Sequence, residues 1–119
     1  MTQEDKELLL KDLCSRLPYG VKGLHRGEKR ELLVMDSFGS YQVNEYDAWF
    51  DLNSVIFKPY LRPMSSMTDD EWREYKQAMH KSSFSFTEED WFNSHYFDHR
   101  GLIEKGLALE APEGMYKTE

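Results

Sequence analysis

Cysteine is nearly missing from this chain. Cys14 is the only one in 119 residues, and a single thiol cannot close an internal disulfide, so stability does not come from an oxidising compartment. Long apolar runs are missing too. The longest early one, Leu8-Leu9-Leu10, is far too short for a membrane span or for the apolar stretch of a secretion signal, and Met1-Thr2-Gln3-Glu4-Asp5 supplies no basic flank. A cytoplasmic protein without membrane contact is the expectation. Positive charge is scarce: 15 Lys and Arg stand against 22 Asp and Glu, a formal net charge of −7. Such a chain repels phosphate backbones, so direct nucleic-acid binding is not expected. Glycine-rich nucleotide loops, a Gly-x-Ser-x-Gly elbow and a His-Glu-x-x-His pair are absent. Their absence removes the usual signatures of nucleotide binding, serine hydrolysis and zinc proteolysis, and no cofactor is expected.

Aromatic residues are plentiful. Three Trp, seven Tyr and seven Phe make 14% of the chain, enough volume for a packed core in one domain of this length. Residues 3–16 have helical spacing, with Leu9, Leu10, Leu13, Cys14 and Leu17 on one face and Thr2 as the cap. Cys14 then belongs to the core rather than to catalysis. From 21 to 58 the pattern changes to short alternating segments: Val21–His25, Glu31–Phe38, Tyr41–Tyr46 and a fourth at Asn53–Lys58. Leu32-Leu33-Val34-Met35 is apolar at every position, which predicts a central strand. Pro59 and Pro63 argue that strand pairing has ended by that point. Beyond them lie two capping signatures. Thr68 with Glu71, and Thr87 with Asp90, form capping boxes, with Met67 on Trp72 and Phe86 on Trp91 as the matching staples. Both tryptophans are then expected to be buried. Asp98 caps a third short helix that closes at Gly106, with Leu107 folding back on Leu102. The expected architecture is α+β: an N-terminal helix (1–20), an antiparallel meander of three to four strands (21–58), and two to three C-terminal helices packed on the sheet (59–111), with a tail (112–119), all in a single domain spanning 1–119.

The run Phe57-Lys58-Pro59-Tyr60-Leu61-Arg62-Pro63-Met64-Ser65-Ser66-Met67-Thr68, and the stretch from Asp90-Trp91-Phe92-Asn93-Ser94-His95 through Phe97-Asp98-His99-Arg100-Gly101-Leu102 to Pro112, resemble a group of small uncharacterised proteins. That group recurs in gut Bacteroides-type bacteria and their phage and mobile elements. The resemblance is carried mainly by residues 57–116. It implies a bacterial or phage cytoplasmic protein and implies no activity.

Chemistry has two places to reside. His95-x-x-Asp98-His99 sets two imidazoles and a carboxylate at helical i, i+3, i+4 spacing, where they can converge on zinc or iron. Against this, Asp98 has a competing duty as a cap, His95 falls one turn after Trp91 and packs beside it, and no fourth ligand is fixed by spacing. His25 and His80 stand alone. The second place is electrostatic. Between Glu31 and Phe57 there is no Lys or Arg, while acids and aromatics alternate. Tyr46-Asp47-Ala48-Trp49-Phe50-Asp51 concentrates both. Aromatic anchors ringed by carboxylates suit a basic protein partner. The other reading folds Trp49 and Phe50 down as a lid over the sheet. The function expected is a non-catalytic protein-interaction module with Tyr46, Asp47, Trp49, Phe50 and Asp51 as its partner site. The alternatives are a small metal- or His/Asp-dependent enzyme using His95, Asp98 and His99, and an acidic nucleic-acid mimic. Oligomeric state is not legible.

Overall fold

The computed structural model describes residues 2–81 and 87–116. The expected staple of Phe86 on Trp91, the Ser82-Ser83 pair and the last three residues lie outside the described residues. The chain folds as α+β, with an N-terminal helix, a mixed sheet of six strands and further helices.

Helix α1 (Gln3–Arg16) begins where the Thr2 hydroxyl accepts a hydrogen bond from the Asp5 amide at 3.0 Å. It buries Leu9 and Leu13 against the sheet, with Leu10, Cys14 and Leu17 half-buried beside them. The same helix buries two charged residues, Asp12 and Arg16, which apolar periodicity alone does not reveal. Strands β1 (Val21–His25) and β2 (Glu28–Met35) form a hairpin. Its two turn residues, Arg26 and Gly27, both adopt positive φ, 52° and 81°, the geometry that matches strand twist in tight hairpins. Strands β3 (Ser40–Val43), β4 (Phe50–Asp51), β5 (Lys58–Leu61) and β6 (Leu109–Glu110) complete a sheet of order β4-β3-β2-β1-β5-β6.

Three expectations for the sheet are corrected. The sheet is mixed, not a plain antiparallel meander: β5 and β6 run parallel, Tyr60 opposite Leu109. The fourth strand of the expected meander is not at 53–58. That stretch is turn and irregular, and the chain re-enters the sheet at Lys58 to pair with β1, Gly23 opposite Pro59. Pro59 does not end the pairing as expected, because pairing with β6 begins only one residue later, at Tyr60, where its missing N–H removes no rung. Finally, β2 is interior to the sheet, but its apolar run is not buried on both sides. Leu33 is 55% and Val34 37% exposed. A bulge between Leu32 and Val34 shifts the register against β3 and leaves both side chains outside.

The closed face of the sheet carries Val21, Leu32, Met35, Tyr41, Val43 and Leu61 against α1, with Leu52, Phe57, Leu102, Leu107 and Ala108 filling the same core. Gly23 lets the chain pass closely. A β-carbon there would lie 2.5 Å from the Phe57 ring and 2.6 Å from the Lys58 carbonyl, so only glycine fits without a shift.

The C-terminal helices α2 (Asp69–Lys81) and α3 (Glu88–Ser94) do not all pack on the sheet as expected. Trp91, Phe92 and Phe97 form a separate cluster, with Met67, Tyr75, Ala78 and Met79 packed against it. Both capping boxes are present: the Thr68 and Thr87 hydroxyls accept from the Glu71 and Asp90 amides, and each carboxylate accepts in return from the threonine amide. The two tryptophans nevertheless part company. Trp91 is 4% exposed, whereas Trp72 is 46% exposed and not buried as expected. Trp72 lies flat on Tyr75, ring centres 5.3 Å apart, with Lys76 over its outer side, so Tyr75 and not Trp72 meets the cluster. The third expected helix is a series of turns. Its closure is still as the sequence predicts: the Leu107 and Gly106 amides donate back to the Leu102 and Ile103 carbonyls, and both leucines are buried.

Candidate functional site

The segment 46–51 divides its side chains between the two sides of the sheet. Phe50, in β4, stands opposite Tyr41 and turns inward, half-buried against the core. Strand alternation sends Asp51, opposite Ser40, to the other side. Phe50 and Tyr46 close around His25, ring centres 4.4 and 5.7 Å away, with Tyr41 at 5.8 Å. The lid reading therefore describes Phe50, while Trp49 projects outward, 57% exposed. Asp47 and Asp51 are exposed, and an Asp51 carboxylate oxygen accepts from the Asn53 amide at 2.8 Å.

Two arginines from the β1–β2 hairpin reach this segment, although the sequence around it has none. Arg26 lies over Phe50 at 5.0 Å and Arg30 over Tyr46 at 5.2 Å, with Arg30 also paired to Glu45 at 2.9 Å and to Glu28. The expected ring of carboxylates is thus interrupted on the inner side, where hairpin pairing imports positive charge from outside the sequence window. It leaves Trp49 with Asp47 and Asp51. Cross-strand pairing sets Val34 opposite Gln42, while the β3–β4 pairing joins Ser40 to Asp51 and Tyr41 to Phe50, with Trp49 immediately before it. Val34 and Gln42 thus share the open face, with Leu33 exposed beside them at the bulge, and Trp49 is exposed just before the neighbouring edge strand.

His25 was not singled out by its sequence surroundings, yet it is fully enclosed. Its Nδ1 lies 3.1 Å from the Tyr41 hydroxyl, which itself donates to the Val55 carbonyl at 2.6 Å. The hydroxyl's only proton is used there, so His25 Nδ1 carries the proton and donates to the Tyr41 oxygen. Among the described residues Nε2 has no hydrogen-bond partner, although it is buried. Burial, aided by Arg26 and Arg30, holds the His25 pKa below its ordinary value, and burial pushes the Tyr41 phenol up to about 12.

A second polar group, also unforeseen, lies inside the protein between α1 and α3. Asp12 accepts from Arg16 Nε at 2.8 Å and Nη2 at 3.1 Å, and from Arg100 Nη1 at 2.7 Å. Arg16 Nη2 donates to the Phe97 carbonyl at 2.7 Å, and Arg100 also pairs with Glu89. One carboxylate is clamped by two guanidiniums, and the clamp ties α1 to the turn after α3. Asn93 Oδ1 stands 3.0 Å from His99 Nε2, and His99 stacks on Phe92. Burial, then Arg16, lowers the His99 pKa and favours the neutral ring.

His95, Asp98 and His99 do not converge. Asp98 spends both carboxylate oxygens on the amides of Leu102 and Ile103, at 2.7 and 3.0 Å, where it fastens a series of turns in place of the expected helix. His95 stacks on Trp91 with ring centres 4.0 Å apart, and its Nδ1 is 3.0 Å from the Trp91 carbonyl. His99 turns to Asn93. Among the described residues no three His, Cys, Asp or Glu side chains are grouped to hold a metal ion. Cys14 is half-buried, its thiol pushed up by burial and by Asp36, which makes it a poor nucleophile. No helix among the described residues is long and apolar enough to cross a membrane.

Compared with known proteins, the chain matches no family model, no curated protein and no solved structure.

Proposed function

We propose that this is a non-catalytic protein-interaction module whose partner docks on the open face of the sheet, with Trp49 as anchor and Asp47 and Asp51 on its rim. One observation carries the reading: Leu33 and Val34 are exposed on β2, Trp49 is exposed just before the edge strand β4 of the same sheet, and none of the three belongs to the core packed under α1. Exposed apolar side chains gathered on one face mark docking sites, and tryptophan is the residue most often found at their energetic centre. The partner is a basic protein. The chain's net charge is −7, and among the described residues no Lys or Arg forms an ion pair with Asp47 or Asp51. Those charges are free to steer encounter.

Metal or His/Asp chemistry has less support, since Asp98, His95 and His99 are each committed to a cap or a ring stack. An acidic nucleic-acid mimic also has less support. Among the acids that start the two C-terminal helices, Glu71 binds Arg62, Glu88 accepts from Tyr75, Asp70 pairs with Arg73, and Glu89 pairs with Arg100. The test is retention of proteins from a bacterial lysate on the immobilised wild-type chain, Trp49→Ala and Trp72→Ala. The reading requires a basic protein retained by wild type and Trp72→Ala and lost with Trp49→Ala. Equal retention on all three refutes it.

A further inference from the structure

A groove of about 660 Å³ lies far along the chain from Trp49, between the end of β5, the start of α2 and the segment from Glu110 to Tyr116. Its volume falls in the range of ordinary ligand sites, roughly 300–1,000 Å³. Pro63, Ala111, Pro112 and Met115 make much of its wall. The polar wall is fixed. Arg62 is gripped by both carboxylate oxygens of Glu71, at 2.6 and 2.7 Å, donates to the Ser66 carbonyl at 3.3 Å, and lies 4.2 Å from the centre of the Phe97 ring. With Arg62 neutralised by Glu71, the remaining charge among the described residues that line the groove is that of Glu110 and Glu113, both exposed.

The backbone adds a second feature. In the parallel pairing of β6 with β5, the Ala111 amide donates to the Leu61 carbonyl at 2.8 Å. That pattern turns Leu109 and Ala111 toward β5 and leaves the N–H and C=O of Glu110 pointing away, at the outer edge of the sheet. Among the described residues neither group has a hydrogen-bond partner. A free strand edge beside an apolar groove is the arrangement by which domains add an extended peptide as a further strand.

We propose that this groove binds an extended peptide segment carrying a basic side chain. One peptide residue pairs with the free N–H and C=O of Glu110, an apolar side chain packs on Pro63, Pro112 and Met115, and a lysine or arginine meets Glu110 and Glu113. The site is separate from the face around Trp49, so the two can fail independently.

The test uses fluorescein-labelled hexapeptides and fluorescence anisotropy with the full chain. The probes are an alternating lysine–valine peptide, its glutamate–valine counterpart, and the lysine–valine peptide N-methylated at alternate residues. The lysine peptide is expected to bind. The glutamate peptide and the N-methylated peptide should each bind about tenfold more weakly, the scale of one lost charge-assisted or backbone hydrogen bond. Glu110→Gln with Glu113→Gln should weaken the lysine peptide by a similar factor, while Trp49→Ala leaves it unchanged. The proposal is overturned if none of the peptides binds, if lysine and glutamate peptides bind alike, or if N-methylation has no effect.

Discussion

The two faces of the sheet share strands but not fates. On the closed face the inward apolar positions are covered: Val21, Leu32, Tyr41 and Val43 are buried under α1, and the charges buried beside them are paired, Asp12 with both Arg16 and Arg100. Leu33 and Val34 on the open face, and Trp49 just before β4, remain in contact with solvent. Apolar side chains kept on a free face contribute little to folding. What separates the faces is therefore stability on one side and availability for a partner on the other.

The strongest challenge to that contrast is Asp12→Ala. Removing the carboxylate leaves Arg16 buried and unpaired, and a loss of about 3–5 kcal/mol is expected in urea unfolding. A loss near zero would mean the clamp is not part of the closed side at all. Trp91→Ala is expected to cost a comparable amount, about 3–5 kcal/mol. Trp72→Ala, which removes a half-exposed ring, should cost about 1 kcal/mol. Equal losses would show that both staples are buried in solution. Gly23→Ala should cost about 1–3 kcal/mol because Phe57 and the Lys58 carbonyl must give way.

Acid should act on the fold in two stages. His25 and His99 have folded pKa values below their ordinary 6.5. The unfolded chain takes up those protons first, so stability is full above that value and falls as pH drops below it. Glu71, held by Arg62 down to about 2 from 4.5, adds a second decline as pH falls from 4.5 toward 2. Melting temperature measured against pH should show both. Arg62→Met should flatten only the lower limb, and a melting temperature independent of pH between 7 and 3 would contradict the assignment.

How much of this was legible in the sequence depended on how local the signal was. The Thr2, Thr68 and Thr87 caps and the Gly106 closure are set by residues within a few positions of one another, and each is found where the spacing predicts. Strand β6 was missed because two residues, Leu109 and Glu110, give no alternation to read, and only Tyr60 and Leu61 define their pairing. Burial of Asp12 and Arg16 was missed because their partners, Arg100 and Phe97, lie more than eighty positions away. Trp72 was misjudged because a staple motif places a ring at a helix start without saying whether a neighbour covers it. At the candidate site the segment 46–51 was legible as unusual. Its division between two faces was not, nor was the arrival of Arg26 and Arg30 over Phe50 and Tyr46.

Trp49→Ala tests the central claim most directly when stability and binding are measured on the same preparation. The account predicts an unfolding free energy within about 0.5 kcal/mol of wild type, as for surface substitutions, together with loss of about 2 kcal/mol or more in affinity for the retained basic protein, as at an interface hot spot. A melting temperature lowered by several degrees with partner affinity unchanged would contradict it, and would make Trp49 part of the fold rather than its point of contact.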